Sequence, residues 1–358
     1  MSDVAPSQKT AGIVGLGLIG GSVALALRDL GYSIGGIDQN DASIERALAD
    51  GVIDSSGLPG DAAFTVVATP VDHIPDGVKQ ALAETTGWVT DTGSVKGPIA
   101  DAVSHERFVP SHPMAGSEQS GLDGARPDLF RGAAWVITPT IETSDQTLAA
   151  MHDLVVALGA DPLTLAPKAH DRMVATVSHV PHLTAAALMN VASHRSDEHL
   201  AMLRLAAGGF RDMTRIASGS PDIWPPICLQ NGEAITDALD EVIGGLKELR
   251  DAVAGADADA IRTALVEART ARVNLPSKVP LPPGLSEVRV RIKDERGQLA
   301  AITSLAAELD VNIFDLEIAH SAEGPTGVIV LLVDSDASDV LRGGLLARGY
   351  RPSVRPLS

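Results

Sequence analysis

The sequence holds a single cysteine, Cys228, so an intrachain disulfide is excluded and a reducing, cytoplasmic setting is expected. Its neighbours Ile227 and Leu229 are apolar, which suits a buried, inert thiol better than a nucleophile. Basic residues are scarce too: 28 Lys and Arg stand against 46 Asp and Glu, a formal net charge of −18. Without a basic stripe to neutralise phosphates, nucleic acid is excluded as a partner. No apolar run is long enough for a membrane span. The nearest, Gly12 to Leu27, is interrupted by five glycines, follows no basic segment and is closed by Arg28-Asp29, so it is not a signal peptide either. What remains is a chain of 358 residues, enough for two or three domains with separate cores.

Within that run Gly15, Gly17 and Gly20 are spaced G-x-G-x-x-G, and Ser22 to Leu27 follows with helical character. The pattern predicts a strand, a tight turn and a helix start that cradles a pyrophosphate. Gly15 makes the turn, Gly17 lets the phosphate approach, and Gly20 brings the helix close to the sheet. The unpaired N–H groups of the first turn, at Leu18 and Ile19, face the ligand. A glycine turn occurs in many α/β proteins, but here Gly31 ends the helix, Tyr32 to Ile37 forms a second strand, and Asp38 stands eighteen positions beyond Gly20. A carboxylate there accepts hydrogen bonds from ribose hydroxyls and repels a 2′-phosphate. The expected cofactor is NAD rather than NADP.

Further apolar runs at Phe64–Ala68, Trp88–Asp91 and Ala134–Thr138 alternate with helical segments, which predicts a mostly parallel sheet covered on both faces. Ligands bind at the carboxyl ends of such strands, and Thr69, Ser94 and His112 all stand just past strand ends. From about Pro167 the periodicity turns helical, over 170–177, 182–194, 227–249 and 257–273. A proline-rich linker, 275–284, precedes a βαββαβ succession in the last seventy or so residues, the order of a small ferredoxin-like domain. The expected architecture is therefore α/β: a Rossmann-type dinucleotide-binding domain over 10–166, an all-helical domain over 167–275, and the small domain over 287–358.

Four motifs carry a resemblance. Asp91-Thr92-Gly93-Ser94-Val95-Lys96-Gly97, His112-Pro113-Met114-Ala115-Gly116, Ser178-His179-Val180-Pro181-His182 and Phe210-Arg211-Asp212-Met213-Thr214-Arg215-Ile216-Ala217 occur in the order found in the prephenate/arogenate dehydrogenase family. Over about residues 10–275 the chain resembles that family, and the tail from Glu287 is similar to an ACT domain, an amino-acid-binding module attached to some members. The tail departs from that module's usual pattern at Arg296, where proline is common. The resemblance implies NAD-dependent oxidative decarboxylation of a cyclohexadienol, a homodimer, and an aromatic amino acid as effector at the tail.

It also implies roles. His112 receives the substrate hydroxyl's hydrogen bond and proton, a task suited to an imidazole. Ser94 orients that histidine and touches the cofactor, or else caps the helix after Pro98. Lys96 reaches the same area or is solvated. Arg215 grips the ring carboxylate with a two-pronged guanidinium. Arg211 meets the other carboxylate or pairs with Asp212. His182 lies near the substrate side chain, and Trp224 lines the ring pocket or belongs to the core. Ser117 and Glu118 border the side chain: an uncharged Ser117 favours the keto group of prephenate, and Glu118 leaves the ammonium of arogenate open. His179 and His182 have a metal-like spacing, but no carboxylate or cysteine cluster completes a site, so no metal is expected. Two other readings compete: a β-hydroxyacid-type dehydrogenase, for which Lys168 is the only early helical-domain lysine, and a non-catalytic amino-acid sensor.

Overall fold

The computed structural model describes residues 9–116, 119, 121–196, 206–275, 284–293, 295, 297–320 and 326–356. The chain divides into two compact units, one of Met1–Ala187 with Ile216–Thr270, the other of Leu188–Arg215 with Ala271–Ser358.

In the first unit β1 (Thr10–Val14), β2 (Ser33–Ile37), β3 (Ser55–Ser56), β4 (Phe64–Val67), β5 (Trp88–Asp91) and β6 (Phe108–Val109) form a parallel sheet in the order β3-β2-β1-β4-β5-β6. Its strands are short apolar runs, and β4 is buried along its whole length because helices cover both faces. One of them, α1 (Leu18–Asp29), buries Val23, Ala24 and Leu27 against the sheet. After β2, α2 (Asp41–Ala49) begins at Asn40, whose side chain accepts the Ala42 N–H at 3.1 Å. The chain order reverses between β1 and β4, which opens a crevice at their carboxyl ends. Beyond it come α3 (Ile74–Glu84), after β4, and α4 (Gly97–Ala102), after β5.

The parallel sheet stops one strand sooner than the alternation suggests. β6 passes through Pro110 into β7 (Ser111–Pro113), which pairs antiparallel with β8 (Ala134–Ile137) in a second sheet. Proline brings no N–H for a continued ladder, and the strand changes sheets at that residue. β8 then pairs parallel with β9 (Asp161–Thr164), across α5 (Asp145–Ala157). His112 therefore lies within a strand, not in a loop after one.

The helical segment begins with α6 (Pro167–Val174) and continues through a π-helical turn, Ala175–His179, into α7 (Val180–Ser196). Pro181 sits in the first turn of α7, where the widened turn before it removes the need for its missing N–H. α8 (Gly208–Thr214) gives way at Arg215 to a 3₁₀ turn. α9 (Trp224–Gln230), α10 (Gly232–Ala254) and α11 (Ala258–Val273) follow. Among the described residues no helix is long and apolar enough to cross a membrane.

The C-terminal segment of the second unit runs β10 (Leu285–Lys293), α12 (Gln298–Glu308), β11 (Ile313–His320), β12 (Thr326–Asp334), α13 (Ser335–Ala347), β13 (Pro352–Pro356). Its strands make an antiparallel sheet in the order β11-β12-β10-β13. Alternation sorts the faces: Val288 and Val290 are buried against Ile302, Leu305, Leu341 and Leu345 of the two helices, while Arg289 and Arg291 point away.

Candidate active site

The crevice at β1 and β4 is built by glycines. Gly15 has φ +95°, and a Cβ there would lie 2.7 Å from the Ala68 carbonyl oxygen, so only glycine fits the turn. A Cβ on Gly20 would lie 1.9 Å from the Gly15 oxygen, which ties the start of α1 to the turn. At Gly17, by contrast, a Cβ would meet nothing within 4 Å; the backbone faces open space. The N–H groups of Leu18 and Ile19 open α1 there, and no acidic residue occupies its first turn. Asp38 accepts the Leu16 N–H at 2.7 Å with one oxygen and the Asn40 N–H at 2.9 Å with the other. Both bonds fix its carboxylate at the rim of a cleft of about 570 Å³ lined by Gly15, Gly17, Asp38, Thr69, His73 and Gln80. In that cleft Thr69 Oγ1 is buried without a partner. A buried hydroxyl lacking a partner is costly, and a bound ligand's polar group would supply one. Open backbone, helix N–H groups, carboxylate and orphan hydroxyl together fit a dinucleotide.

His112 stands half-buried on β7, just after the chain leaves β6 of the parallel sheet. Its Nδ1 is 2.9 Å from His170 Nε2, with the ring planes at 76°. The other nitrogen of His170, Nδ1, is 2.8 Å from Asp171 Oδ1. Asp171 is held in turn by the backbone N–H of Lys96 and of Gly97, each at 2.7 Å. Burial pushes its carboxyl up, but His170 and the two N–H donors outweigh it, so the group stays below the ordinary carboxylate value. A Cβ on residue 97 would come within 2.9 Å of the carboxylate, so Gly97 is what lets Asp171 approach. Asn231 Nδ2 reaches both the Asp171 carbonyl oxygen (2.9 Å) and His179 Nδ1 (3.2 Å). Burial pushes the His112 imidazole well below its usual value, and His170, Lys96 and His179 act in the same direction. His112 is therefore neutral near pH 7. His179 is pushed down to about 4, chiefly by burial.

Lys96 is not solvated. It is fully buried, its ammonium pairs with Asp91 and donates to the Ser111 carbonyl at 2.7 Å. Asp91 also accepts the N–H of Gly93 and of Ser111. Burial pushes Asp91 up and Lys96 down, while their mutual attraction opposes both shifts. The pair clamps Ser111, the residue before His112. Ser94 lies half-buried in the turn after β5 and does not cap α4, whose first residue follows Lys96. Among the described residues its hydroxyl has no hydrogen-bond partner, and the bond to His112 Nδ1 is made by His170 instead.

His182 and Trp224 stack face to face, centroids 3.7 Å apart at 17°, and His179 meets the same indole edge-on. Trp224 thus forms an aromatic wall with two histidines of the π turn and α7. Arg211 stands on α8, its Nε donating to the Ala206 carbonyl at 3.3 Å, and Arg215 begins the turn after α8. Ser117, Glu118 and Arg296 lie outside the described residues. Among the described residues no group of three His, Cys, Asp or Glu side chains could hold a metal. His170, Asp171 and Asn231 were not singled out by the sequence; their one visible signal is a His-Asp pair opening a helix after Pro167.

Residues 23–163 match the family model described as prephenate dehydrogenase, nucleotide-binding domain, and residues 166–267 the one described as prephenate dehydrogenase, dimerization domain. Prephenate dehydrogenase of Bacillus subtilis (strain 168) is 34% identical over 341 residues, covering 90% of this chain and 92% of the relative. The crystal structure of prephenate dehydrogenase from Aquifex aeolicus in complex with hydroxyphenyl propionate and NAD+ superposes with TM-score 0.69 at 30% identity, over 76% of this chain and 99% of that one. Synechocystis arogenate dehydrogenase gives TM-score 0.64 at 29% identity, over 74% and 98%. With a dinucleotide crevice, a neutral histidine on β7 and relatives matched over nearly their whole length, the chain belongs to the prephenate dehydrogenase family.

Proposed function

We propose that the protein oxidises and decarboxylates prephenate to 4-hydroxyphenylpyruvate, with NAD as acceptor. The observation that carries this reading is His112, a neutral imidazole half-buried on β7, the strand that continues from β6 of the parallel sheet. When bound, the nicotinamide supplies the two-electron acceptor for hydride from the carbinol carbon. The protein's own groups do the rest. Leu18 and Ile19 N–H bind pyrophosphate, Thr69 Oγ1 gains its missing partner, and Asp38 takes the ribose hydroxyls. His112 Nε2 accepts the hydroxyl proton. A weakly basic imidazole suffices, because that proton becomes strongly acidic as the carbinol turns into a carbonyl. The new carbonyl then draws the electron pair from the breaking carboxylate bond into the ring, which aromatises and releases carbon dioxide. Ser94 offers its open hydroxyl to the carbinol or cofactor, and Trp224 with His182 walls the ring; the family resemblance of the Phe210–Ala217 motif assigns the two carboxylates to Arg215 and Arg211.

Arogenate is the second substrate to test, favoured by the likeness to Synechocystis arogenate dehydrogenase and by Glu118 beside Ser117. NADH formation and carbon dioxide release are measured with each; neither substrate giving NADH would overturn the reading. The exposed apolar residues Val242, Ile243 and Leu246 of α10 support a homodimer through the matched dimerization region.

The C-terminal sheet fits a ferredoxin-like ACT module that binds an aromatic amino acid, L-tyrosine before phenylalanine. Its βαββαβ order supports this, as does the B. subtilis match, which covers more of the chain than lies ahead of Leu285. Gly297, at φ +91°, turns the chain into α12, and Asn312 stands exposed just before β11. Both are offered to a ligand's carboxylate and ammonium. Regulation requires unequal affinity for active and inactive states. A chain ended near Pro276 should keep activity and lose its response to L-tyrosine; an unchanged response would leave the segment a structural role.

A further inference from the structure

The chemistry above uses His112 and leaves the buried His170–Asp171 pair beneath it unexplained. Asp171 receives two backbone N–H groups and offers only acceptor oxygens, so His170 Nδ1, 2.8 Å away, must carry a hydrogen. In a neutral ring His170 Nε2 then bears the lone pair. That lone pair faces His112 Nδ1 at 2.9 Å, and two lone pairs at this distance would repel, so His112 Nδ1 must be the donor. The remaining nitrogen of His112, Nε2, is left as the acceptor.

We propose that Asp171 and His170 are positioning residues that lock His112 in the tautomer with its hydrogen on Nδ1, and that share the positive charge His112 acquires. The inference rests on the reading of His112 as the proton acceptor. In the step, the substrate O–H bond breaks and a bond from that proton to His112 Nε2 forms. The O–H electron pair becomes the second bond of the carbonyl as the C–H pair leaves with hydride to the nicotinamide. The His112 imidazolium then presents Nδ1–H to His170 Nε2, and transfer of that proton leaves His170 cationic against the Asp171 carboxylate. No other co-reactant is needed. Among the described residues the groups around His112 are His170 from α6 with Asp171 behind it, Lys96 from the β5–α4 connection and His179 from the π turn. Of these, Lys96 is already neutralised by Asp91, so Asp171 is the anion that answers a charge on the two rings.

Ring ¹⁵N spectra of the full-length protein, labelled at histidine, test this directly, with His112 assigned by its loss in His112→Asn. At pH 8 the expected signature is a protonated Nδ1 and an unprotonated Nε2. Finding the hydrogen on Nε2 would overturn the proposal, whatever the substrate proves to be. His170→Met should release the lock and mix the tautomers. His170→Gln should keep it, because a carboxamide can accept from His112 and donate to Asp171. In turnover, His170→Met should lower kcat on the order of 10²-fold, with KM and the NAD dissociation constant within about threefold of wild type. His170→Gln should recover at least about tenfold of that loss. Equal kcat in wild type and His170→Met would sink the positioning role. Absence of any prephenate or arogenate turnover in wild type, with the Nδ1–H tautomer present, would instead refute only the substrate reading.

Discussion

Replacing Lys96 with methionine removes one partner of a buried ion pair and keeps most of the side-chain volume. Asp91 and Lys96 are both fully buried, so the carboxylate left behind finds no water and keeps only the N–H groups of Gly93 and Ser111. Breaking such a pair from one side costs roughly 3–5 kcal/mol. For a unit of this size each kcal/mol lowers the melting temperature by about 2–4 °C, so the expected drop is roughly 6–20 °C. The drop should also depend on pH. Burial already pushes the Asp91 carboxyl up, and without the ammonium it is pushed further. The folded variant then binds a proton that the unfolded chain releases, so its stability rises as pH falls, and the deficit should be smaller at about pH 5.5 than at about pH 8. Adding Asp91→Asn removes the orphan charge and should recover much of the loss. Calorimetric melting of the four proteins in the cycle measures this. A Lys96→Met protein melting within about 2 °C of wild type at pH 8, or no recovery in the double variant, would refute the argument.

Asp38→Ser should narrow the preference for NAD over NADP, read as the ratio of kcat/KM values; equal wild-type use of both would remove the role given to Asp38. His112→Asn should lower kcat by on the order of 10²–10⁴ while NAD binding by calorimetry stays unchanged. Arg215→Ala should act on the other side of the scheme, raising KM for prephenate on the order of 10²-fold, as expected when a charged ligand group loses its partner. Stability should fall on acidification between 6.5, the ordinary histidine value, and about 4, where His179 titrates when folded. In that window the unfolded chain takes up a proton that the buried imidazole refuses, so the contribution is complete above 6.5 and gone near 4. Urea unfolding across that range checks it.

The glycine turn, Asp38 and the alternating strands were legible because each is a local rule: a backbone angle, a period, a capping side chain. Thr69 was legible for a related reason, since strand ends in a parallel sheet collect ligands; the same rule misplaced His112, which lies inside β7 of the second sheet. Lys96 was not, because a lysine in sequence carries no sign of the aspartate five residues earlier that makes its burial tolerable. The switch of β7 into a second sheet turned on Pro110, visible but ambiguous until its partner strand was known. β9 was missed for want of pattern: Asp161-Pro162-Leu163-Thr164 is mostly exposed and has no apolar alternation. His170 and Asp171 escaped because their meaning lies in contacts 58 and 75 residues away in the chain, to His112 and Lys96.

The π turn sets the angular phase of everything after it. In a regular α-helix each residue advances about 100°, so the eight steps from Asp171 to His179 would leave them about 80° apart. A π turn accommodates one extra residue, which takes back about 100° and brings the pair to within about 20° of one face. That is how a single asparagine, Asn231, can touch both. The site therefore depends on chain length as well as on side chains. Deleting one residue from 175–178 would straighten the turn and keep the phase, since seven regular steps again end about 20° from Asp171; inserting one there would swing His179 and His182 about 100° from where Trp224 waits, although every named residue would still be present.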